Sequence, residues 1–514
     1  MIVYCNYVST SFAYAIIFEM PELPRRRRIL DYPEDDLLLL SAIEAAELIR
    51  REEITSESLI QAYILRITHI NRFLNAVVIQ NFDDAIEEGR QVDSYIQHID
   101  KDSDEYKSLP HKKPFLGVPF TLKDSMSVEG LVCTVGIPSR RNTVAEEDAE
   151  VVQRMRHAGA IVLAVTNVPE AIMWCESANT IYGRTNNPYN IRRTCGGSSG
   201  GEGALIAGAG SVIGLGSDVG GSIRIPAAFN GVFGLKPTSG IVSLKGSFPV
   251  VEGEDYTSLM WCIGPLCRYA KDLKPMLQVL AGDKAESLLH LHNPVNFRNI
   301  RIFYMEEINS LFVEPLHEDV RRALRKAVSY FEKKYDITSY RLDLPLVHDA
   351  LSYWYSSISD STAPPFTQYD VNCYLEVVKW IFGKSDHTLP AIISGLMCYL
   401  PHGAFDQQIL ESHRDQLRRE IIDLLGSDGI LLFPSWATVA PYHNQLILTS
   451  GNLAYTGLWN ALTLPAIQIP MGVNSNGLPL AVQIISAPNM DRLLIAAASD
   501  LEEGFGGWTP TRSL

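Results

Sequence analysis

Apolar positions recur along this chain with a helical period in some stretches and as unbroken runs in others. Thr55 is of a residue type that caps helices, and the apolar residues within 60–67 follow at the spacing of one helical face. These residues predict an amphipathic helix. The polar, charged stretch over 98–113 predicts a surface loop instead.

Unbroken apolar runs predict strands that are buried on both faces. One run covers 115–123 and ends in a lysine, and another covers 160–165 after a predicted helix over 145–157. Two further runs predict late strands at 431–435 and 481–485. This alternation of helices and strands predicts an α/β fold built on a mixed sheet.

The composition is that of an ordinary globular protein, with 46% hydrophobic and 20% charged residues among 514. Such a length suggests about three domains, but no linker-like tract divides the chain, so we expect one large domain over 31–514. The net charge of −15 argues against a nucleic-acid partner, because phosphate binding requires clustered Lys and Arg. The eight cysteines include no metal-ligand pair, and we expect neither a metal nor a cofactor.

Residues 1–30 form a separate segment that leaves two interpretations open. Polar residues interrupt its apolar stretch, and the positive charge at Arg25–Arg28 follows the apolar run, which argues against a cleaved secretory signal. The segment is either an N-terminal extension or a weak membrane anchor. An anchor would leave the arginines and the whole downstream chain on the cytoplasmic side. We therefore expect an intracellular protein that is not secreted.

Glycine and serine are concentrated over 196–240. No phosphate-binding glycine motif occurs there, so a nucleotide site is disfavoured. Glycines can serve tight turns alone, but a serine nucleophile also needs a base and preorganised N–H donors. Successive glycines before a serine permit such a nest, and we assign an oxyanion hole to the backbone of Val219, Gly220, Gly221 and Ser222.

Five segments of the chain resemble the amidase signature family. They are Leu122–Asp124, Gly196–Gly203, Asp218–Pro226, Gly234–Thr238 and Gly477–Pro479. The resemblance implies a large mixed sheet covered by helices on both faces and an activity that cleaves amide bonds. It also implies a triad of a lysine, a serine that follows a cis peptide bond, and a nucleophilic serine.

On this sequence the family's triad corresponds to Lys123, Ser198 and Ser222. The serines lie 24 positions apart, as in the family, and this spacing selects Ser198 over Ser199. The resemblance implies that Ser222 is the nucleophile and that Lys123 is the base, relayed through Ser198. Lys123 must then be neutral, which burial without an opposing carboxylate would achieve. Taken alone, such a lysine is more often a surface residue at a strand end.

Three acidic or basic neighbours of these residues have other interpretations. Asp124 follows Lys123 in the predicted strand, so its side chain should point to the opposite face. Asp218 and Arg224 flank the predicted oxyanion hole, where either could be catalytic. We expect them instead to form a structural ion pair that supports the loop.

Within the family the chain most resembles enzymes that hydrolyse fatty-acid amides. This resemblance implies a lipid amide as substrate and a membrane-associated protein. A small-molecule or aryl amide is the alternative. The resemblance assigns Ile172–Trp174 to the acyl channel, although such residues are more often core packing. The apolar residues 377–382 and 391–400 form either a cap that faces a membrane surface or two buried helices, which the residues themselves favour. A homodimer is left open.

Overall fold

The computed structural model describes residues 30–249, 256–359, 371–397 and 407–511. Residues 1–29, which carry nearly all of the predicted extension or anchor over 1–30, lie outside the described residues. The strands are β1 (Val77–Gln80), β2 (Pro119–Lys123), β3 (Ile161–Thr166), β4 (Ala178–Asn179), β5 (Gly183–Arg184), β6 (Asn186–Asn187), β7 (Asn190–Thr194), β8 (Ile213–Asp218), β9 (Phe233–Lys236), β10 (Cys262–Cys267), β11 (Arg301–Tyr304), β12 (Ser339–Arg341), β13 (Gly429–Phe433), β14 (Ala466–Val473) and β15 (Pro479–Ser486).

The α-helices of the same ranges differ widely in length. They are α1 (Ala42–Arg50), α2 (Ser56–Leu74), α3 (Phe82–His98), α4 (Asp104–Lys112), α5 (Glu150–His157), α6 (Gly200–Ala207), α7 (Arg224–Asn230), α8 (Tyr256–Met260), α9 (Leu273–Ala281), α10 (Lys284–Ser287), α11 (Glu318–Tyr335), α12 (Ala350–Ser359), α13 (Cys373–Ile381), α14 (Leu389–Met397), α15 (Gln407–Leu425), α16 (Leu446–Thr449), α17 (Ala454–Ala461) and α18 (Asp491–Phe505).

Eleven of the described strands form one mixed sheet. Their order is β1-β3-β2-β8-β10-β9-β14-β15-β13-β11-β12, while β4 pairs with β5 and β6 with β7 in two small sheets. Helices pack against the large sheet and enclose its apolar side chains. The predicted α/β fold with a large mixed sheet is confirmed.

The strands β2 and β8 are parallel neighbours in this sheet, with Leu122 opposite Leu215. Parallel strands that lie side by side end at the same edge of a sheet. Lys123 at the end of β2 and Asp218 at the end of β8 therefore lie at one edge, where the candidate site is built.

The helix predicted after Thr55 is confirmed as α2. Thr55 Oγ1 accepts a hydrogen bond from Ser58 N at 3.1 Å, which caps the helix. Ile60, Tyr63 and Ile67 are buried in the core, as their common face predicts. The apolar runs at 160–165 and 481–485 are confirmed as strands β3 and β15. The run at 431–435 is confirmed as β13, which ends at Phe433.

The surface loop predicted over 98–113 is wrong, because α4 occupies most of it. Ser103 Oγ accepts a hydrogen bond from Tyr106 N at 3.1 Å and so caps the helix. Leu109 is the buried residue of α4. A short capped helix with so little buried surface leaves no apolar period in the sequence.

The helix predicted over 145–157 begins later, at Glu150. Residues before it pair with another extended segment: Ala145 N donates to Leu131 O at 2.9 Å, and Val144 forms an antiparallel bridge with Val132. This backbone pairing takes 144–145 out of the helix, which the polar and charged sequence of 145–149 does not reveal.

The prediction of two buried helices over 377–382 and 391–400 is wrong for α13. Val378 is 49% exposed, Ile381 is 66% exposed and Phe382 is 71% exposed. The neighbouring α14 does bury Ile392. An apolar sequence shows that a segment favours burial, but it does not show how many of its faces are covered. Residues 398–400 lie outside the described part of the chain.

A membrane-spanning helix would need a long apolar stretch. No helix within 30–249, 256–359, 371–397 and 407–511 is both long enough and apolar enough to cross a bilayer.

Candidate active site

Lys123 is a fully buried lysine at the carboxyl end of β2. Its Nζ lies 2.6 Å from Ser198 Oγ and 2.8 Å from Ser217 Oγ. Burial lowers the pKa of this amine to about 7, and the nearby Asp218 carboxylate opposes that shift only in part. A substantial fraction of Lys123 is therefore neutral at pH 7 and can accept a proton from a hydroxyl group.

Asp124 faces away from this amine, as the alternation of a strand predicts. Its Oδ1 accepts a hydrogen bond from Thr134 N at 2.9 Å, and its Oδ2 accepts one from Thr134 Oγ1 at 2.5 Å. The carboxyl group that follows Lys123 in sequence is thus engaged elsewhere and does not pair with the lysine.

Ser198 lies on the glycine-rich loop that leads into α6. The Gly197–Ser198 peptide bond is cis, as the family resemblance implies. The loop lies so close to a neighbouring segment that a Cβ on Gly197 would be 2.5 Å from Trp174 O. Ser199 Oγ donates to Ser217 O at 3.3 Å, whereas Ser198 Oγ meets Lys123. The structure therefore brings Ser198, the serine selected by spacing, to the lysine.

Ser222 lies on the turn that joins β8 to α7 and is half-buried. Its carbonyl oxygen accepts a hydrogen bond from Ser199 N at 3.1 Å, which ties this turn to the loop that carries Ser198. Gly221 has a φ of +125°, and a Cβ there would lie 2.2 Å from Thr456 Oγ1. Only glycine fits that position.

The backbone amides of this turn fall into two groups. Gly221 N donates to Asp218 Oδ1 at 2.7 Å. The N–H groups of Val219, Gly220 and Ser222 have no hydrogen-bond acceptor among the residues that the structure describes. These three unpaired donors lie beside a half-buried serine. They can stabilise the negative charge that develops on a carbonyl oxygen when Ser222 attacks the carbonyl carbon.

The expected ion pair of Asp218 and Arg224 is present and has no solvent exposure. Arg224 Nη2 donates to Asp218 Oδ1 and Arg224 Nε to Asp218 Oδ2, both at 3.0 Å. Although burial alone would raise the pKa of Asp218, the charge of Arg224 holds it well below its usual range. The guanidinium also donates to Gln483 Oε1 and Asn460 Oδ1, each at 2.6 Å, which satisfies it inside the protein.

Sequence reasoning missed Ser217, Thr456 and Asn460. Ser217 contacts Lys123 because β2 and β8 are parallel neighbours in the sheet. The sequence does not state which strands pair, so it contains no signal for this residue. Thr456 and Asn460 lie on α17, more than 230 residues after the turn they support. They belong to no recognisable motif.

The segment over 170–176, which contains the predicted acyl-channel residues Ile172–Trp174, is fixed at both ends by histidines. His387 Nδ1 lies 2.6 Å from Glu170 Oε1, and His443 Nδ1 lies 2.6 Å from Glu176 Oε1. Ile172 is buried, whereas Met173 and Trp174 are half-buried. The carbonyl of Trp174 abuts the loop of Ser198, so this segment borders the site.

Comparisons with known proteins find similar sequences and a similar fold. A family model described as Amidase matches residues 58–495. Fatty-acid amide hydrolase 2 of Homo sapiens is 40% identical over 92% of this chain and 90% of the relative. Fatty-acid amide hydrolase 2-B of Danio rerio is 37% identical over 98% of this chain and 97% of the relative. A solved structure of fatty acid amide hydrolase has the same fold, with a TM-score of 0.73, 23% identity and coverage of 96% of this chain and 88% of that chain. The predicted resemblance is confirmed.

The buried ion pair generates a prediction about stability. Asp218→Asn should lower the free energy of unfolding by about 3–5 kcal/mol, because it leaves the Arg224 charge buried without a counter-charge. The matched control is Asp428→Asn, since Asp428 pairs with Arg301 where both side chains are more than 40% exposed. That control should cost no more than about 1 kcal/mol. Denaturant unfolding of both variants measures the difference, and equal losses would contradict the prediction.

Proposed function

The chain belongs to the amidase family and hydrolyses amide C–N bonds, and on that premise we propose that it cleaves fatty-acid amides through an acyl-enzyme on Ser222. The observation that carries the proposal is the 2.6 Å contact between the buried Lys123 amine and Ser198 Oγ. A lysine with a pKa of about 7 can serve as a base near neutral pH. Ser198 in turn lies on a loop that is hydrogen-bonded to the turn of Ser222.

Acylation begins with two proton transfers. Neutral Lys123 accepts the proton of Ser198, and Ser198 accepts the proton of Ser222. Ser222 Oγ bonds to the amide carbon while the carbonyl electron pair moves onto oxygen. The Lys123 ammonium then returns its proton through Ser198 to the amide nitrogen. The electron pair on the oxygen re-forms the carbonyl, the C–N bond breaks and the amine leaves, so the acyl group stays on Ser222.

Deacylation uses the same relay on water. Ser198 accepts a proton from a water molecule and passes its own proton to Lys123, while the water oxygen attacks the acyl carbon. The bond to Ser222 Oγ then breaks, and the serine recovers its proton through Ser198. The products are the free carboxylic acid and the amine, or ammonia from a primary amide.

The oxyanion hole in this proposal is the backbone from Val219 to Ser222. The N–H of Gly221 donates to Asp218 Oδ1, so this residue contributes by fixing the turn. The N–H groups of Val219, Gly220 and Ser222 are the donors that remain for the oxyanion. Removing one such donor typically costs about 10²–10³-fold in kcat.

A fatty-acid amide is the proposed substrate because two relatives that align with most of the chain are named fatty-acid amide hydrolases. The half-buried Met173 and Trp174 beside the serine loop offer apolar surface for an acyl chain. The alternative is a small-molecule or aryl amide, which would use the same triad with a shorter pocket.

We also propose that α13 contacts a membrane surface. Tyr374 and Leu375 at its start, and Ile381 and Phe382 at its end, are all more than half exposed. Exposed apolar clusters of this kind mark interaction sites, and a helix can lie on a bilayer with its apolar face in the interface. A lipid amide dissolved in that bilayer would then be close to the enzyme.

One test of the proposed function compares hydrolysis of a long-chain and a short-chain fatty-acid primary amide. Wild type should prefer the long chain, and Ser222→Ala and Ser198→Ala should each lose at least about 10³-fold in kcat. Ser199→Ala is the matched control: it removes a neighbouring buried hydroxyl and should stay within about 10-fold of wild type.

Full activity in the Ser222→Ala protein would contradict the proposed nucleophile. Serine-dependent turnover of the short amide alone would keep the triad and exclude the fatty-acid substrate. Equal effects of Ser198→Ala and Ser199→Ala would contradict the relay.

The proposed membrane contact of α13 is tested by co-sedimentation of the protein with phosphatidylcholine vesicles, which carry no net charge. Ile381→Asp and Phe382→Asp should each lower the partition coefficient at least about 10-fold, because each removes a large apolar side chain from the interface. Leu65→Asp is the control, since Leu65 on α2 is 71% exposed, as Phe382 is. If the three substitutions lower the partition coefficient equally, the proposed role of α13 is contradicted. It is also contradicted if the wild-type protein does not bind the vesicles.

A further inference from the structure

Trp354 on α12 reaches the backbone of the turn that carries Ser222. Its indole Nε1 donates a hydrogen bond to Val219 O at 2.8 Å, and the side chain is largely buried. Val219 and Trp354 are 135 residues apart in sequence. The contact therefore joins a distant helix to the centre of the proposed oxyanion hole.

The orientation of one peptide group follows from this bond. The Val219–Gly220 peptide is trans, and in a trans peptide the C=O and N–H bonds point in opposite directions. A donor that holds Val219 O therefore turns the Gly220 N–H to the other side of the backbone. That N–H has no acceptor among the described residues, so it remains available to a ligand.

In the next peptide group, Gly220–Gly221, the C=O and the N–H also point in opposite directions, and both have hydrogen-bond partners. Thr456 Oγ1 donates to Gly220 O at 2.7 Å on one side. On the other side, Gly221 N donates to Asp218 Oδ1 at 2.7 Å. Side chains thus hold the carbonyls of two successive peptide groups, but only the second amide has an acceptor among the described residues.

Close packing fixes the direction of the indole N–H. A Cβ on Gly220 would lie 2.9 Å from Trp354 Nε1, and a Cβ on Gly457 would lie 3.0 Å from Trp354 Cδ1. The ring is therefore held between two glycine backbones that leave it little room to rotate.

Burial alone does not account for this hydrogen bond. The indole N–H groups of Trp436 and Trp459 are also buried, and neither has an acceptor among the residues that the structure describes. This fold leaves buried indole donors unpaired elsewhere, so the pairing of Trp354 with Val219 O is a specific feature of the turn.

We propose that Trp354 is a positioning residue that holds the Val219–Gly220 peptide so that Gly220 N–H faces the oxyanion formed on attack by Ser222. This inference rests on the proposed function, because it explains what orients one of the N–H donors of the proposed oxyanion hole. Trp354 touches no reacting atom and acts through the carbonyl of Val219.

The test compares Trp354→Phe with Trp459→Phe, which removes a buried indole N–H that has no acceptor in the part of the chain that the structure describes. Trp354→Phe should lower kcat about 10-fold or more, with KM within about 2-fold of wild type, because the donor matters only once the oxyanion forms. Its affinity for a trifluoromethyl ketone that carries the substrate's acyl chain should fall by the same factor, since Ser222 adds to that ketone and creates the oxyanion. Trp459→Phe should leave kcat, KM and the affinity for the ketone within about 2-fold of wild type.

If Trp354→Phe lowers the melting temperature more than Trp459→Phe does, 3-benzothienylalanine at position 354 replaces it as the test, because sulfur then takes the place of N–H in a ring of nearly the same shape. Losses of kcat and ketone affinity no larger than in Trp459→Phe would overturn the inference, as would a loss of kcat without a loss of ketone affinity. Neither result affects the proposed function, which fails separately if wild type shows no Ser222-dependent hydrolysis.

Discussion

The removal of the Lys123 amine from water is the constraint on which the rest of the site depends. An ammonium group without solvent loses its hydration, and this brings the pKa down to about 7. A free carboxylate against the amine would reverse the shift. The structure avoids that outcome because Asp124 is held by Thr134, while Asp218 is held by the guanidinium of Arg224. The carboxylates around the lysine are thus satisfied by other groups.

Close backbone approach is the second requirement, and it follows from the first. A buried lysine can exchange protons only with hydroxyl groups that the chain brings to it, since water does not reach it. Gly197 allows the Ser198 loop to pack against Trp174, and Gly221 allows the Ser222 turn to pack against Thr456. The concentration of glycine near the serines is therefore a packing requirement as much as a source of N–H donors.

The sequence predicted those features that depend on local pattern and on spacing. Buried strands such as β3 follow from unbroken apolar runs, and the 24-residue interval identified Ser198 as the serine that meets Lys123. Features that depend on distant contacts were not predictable: Trp354 and Asn460 reach the Ser222 turn from helices far along the chain. The exposure of α13 also escaped prediction, because composition does not reveal which faces of a helix find partners.

The most direct test of this account is the pH dependence of acylation, measured in a single turnover by release of the amine. The rate should rise about tenfold per pH unit below pH 7 and level off above it, because only neutral Lys123 accepts a proton. Lys123→Met should lack that rising limb. A midpoint near the ordinary lysine value of about 10.4, or the same limb in the Lys123→Met protein, would contradict the claim that a buried neutral lysine drives the chemistry.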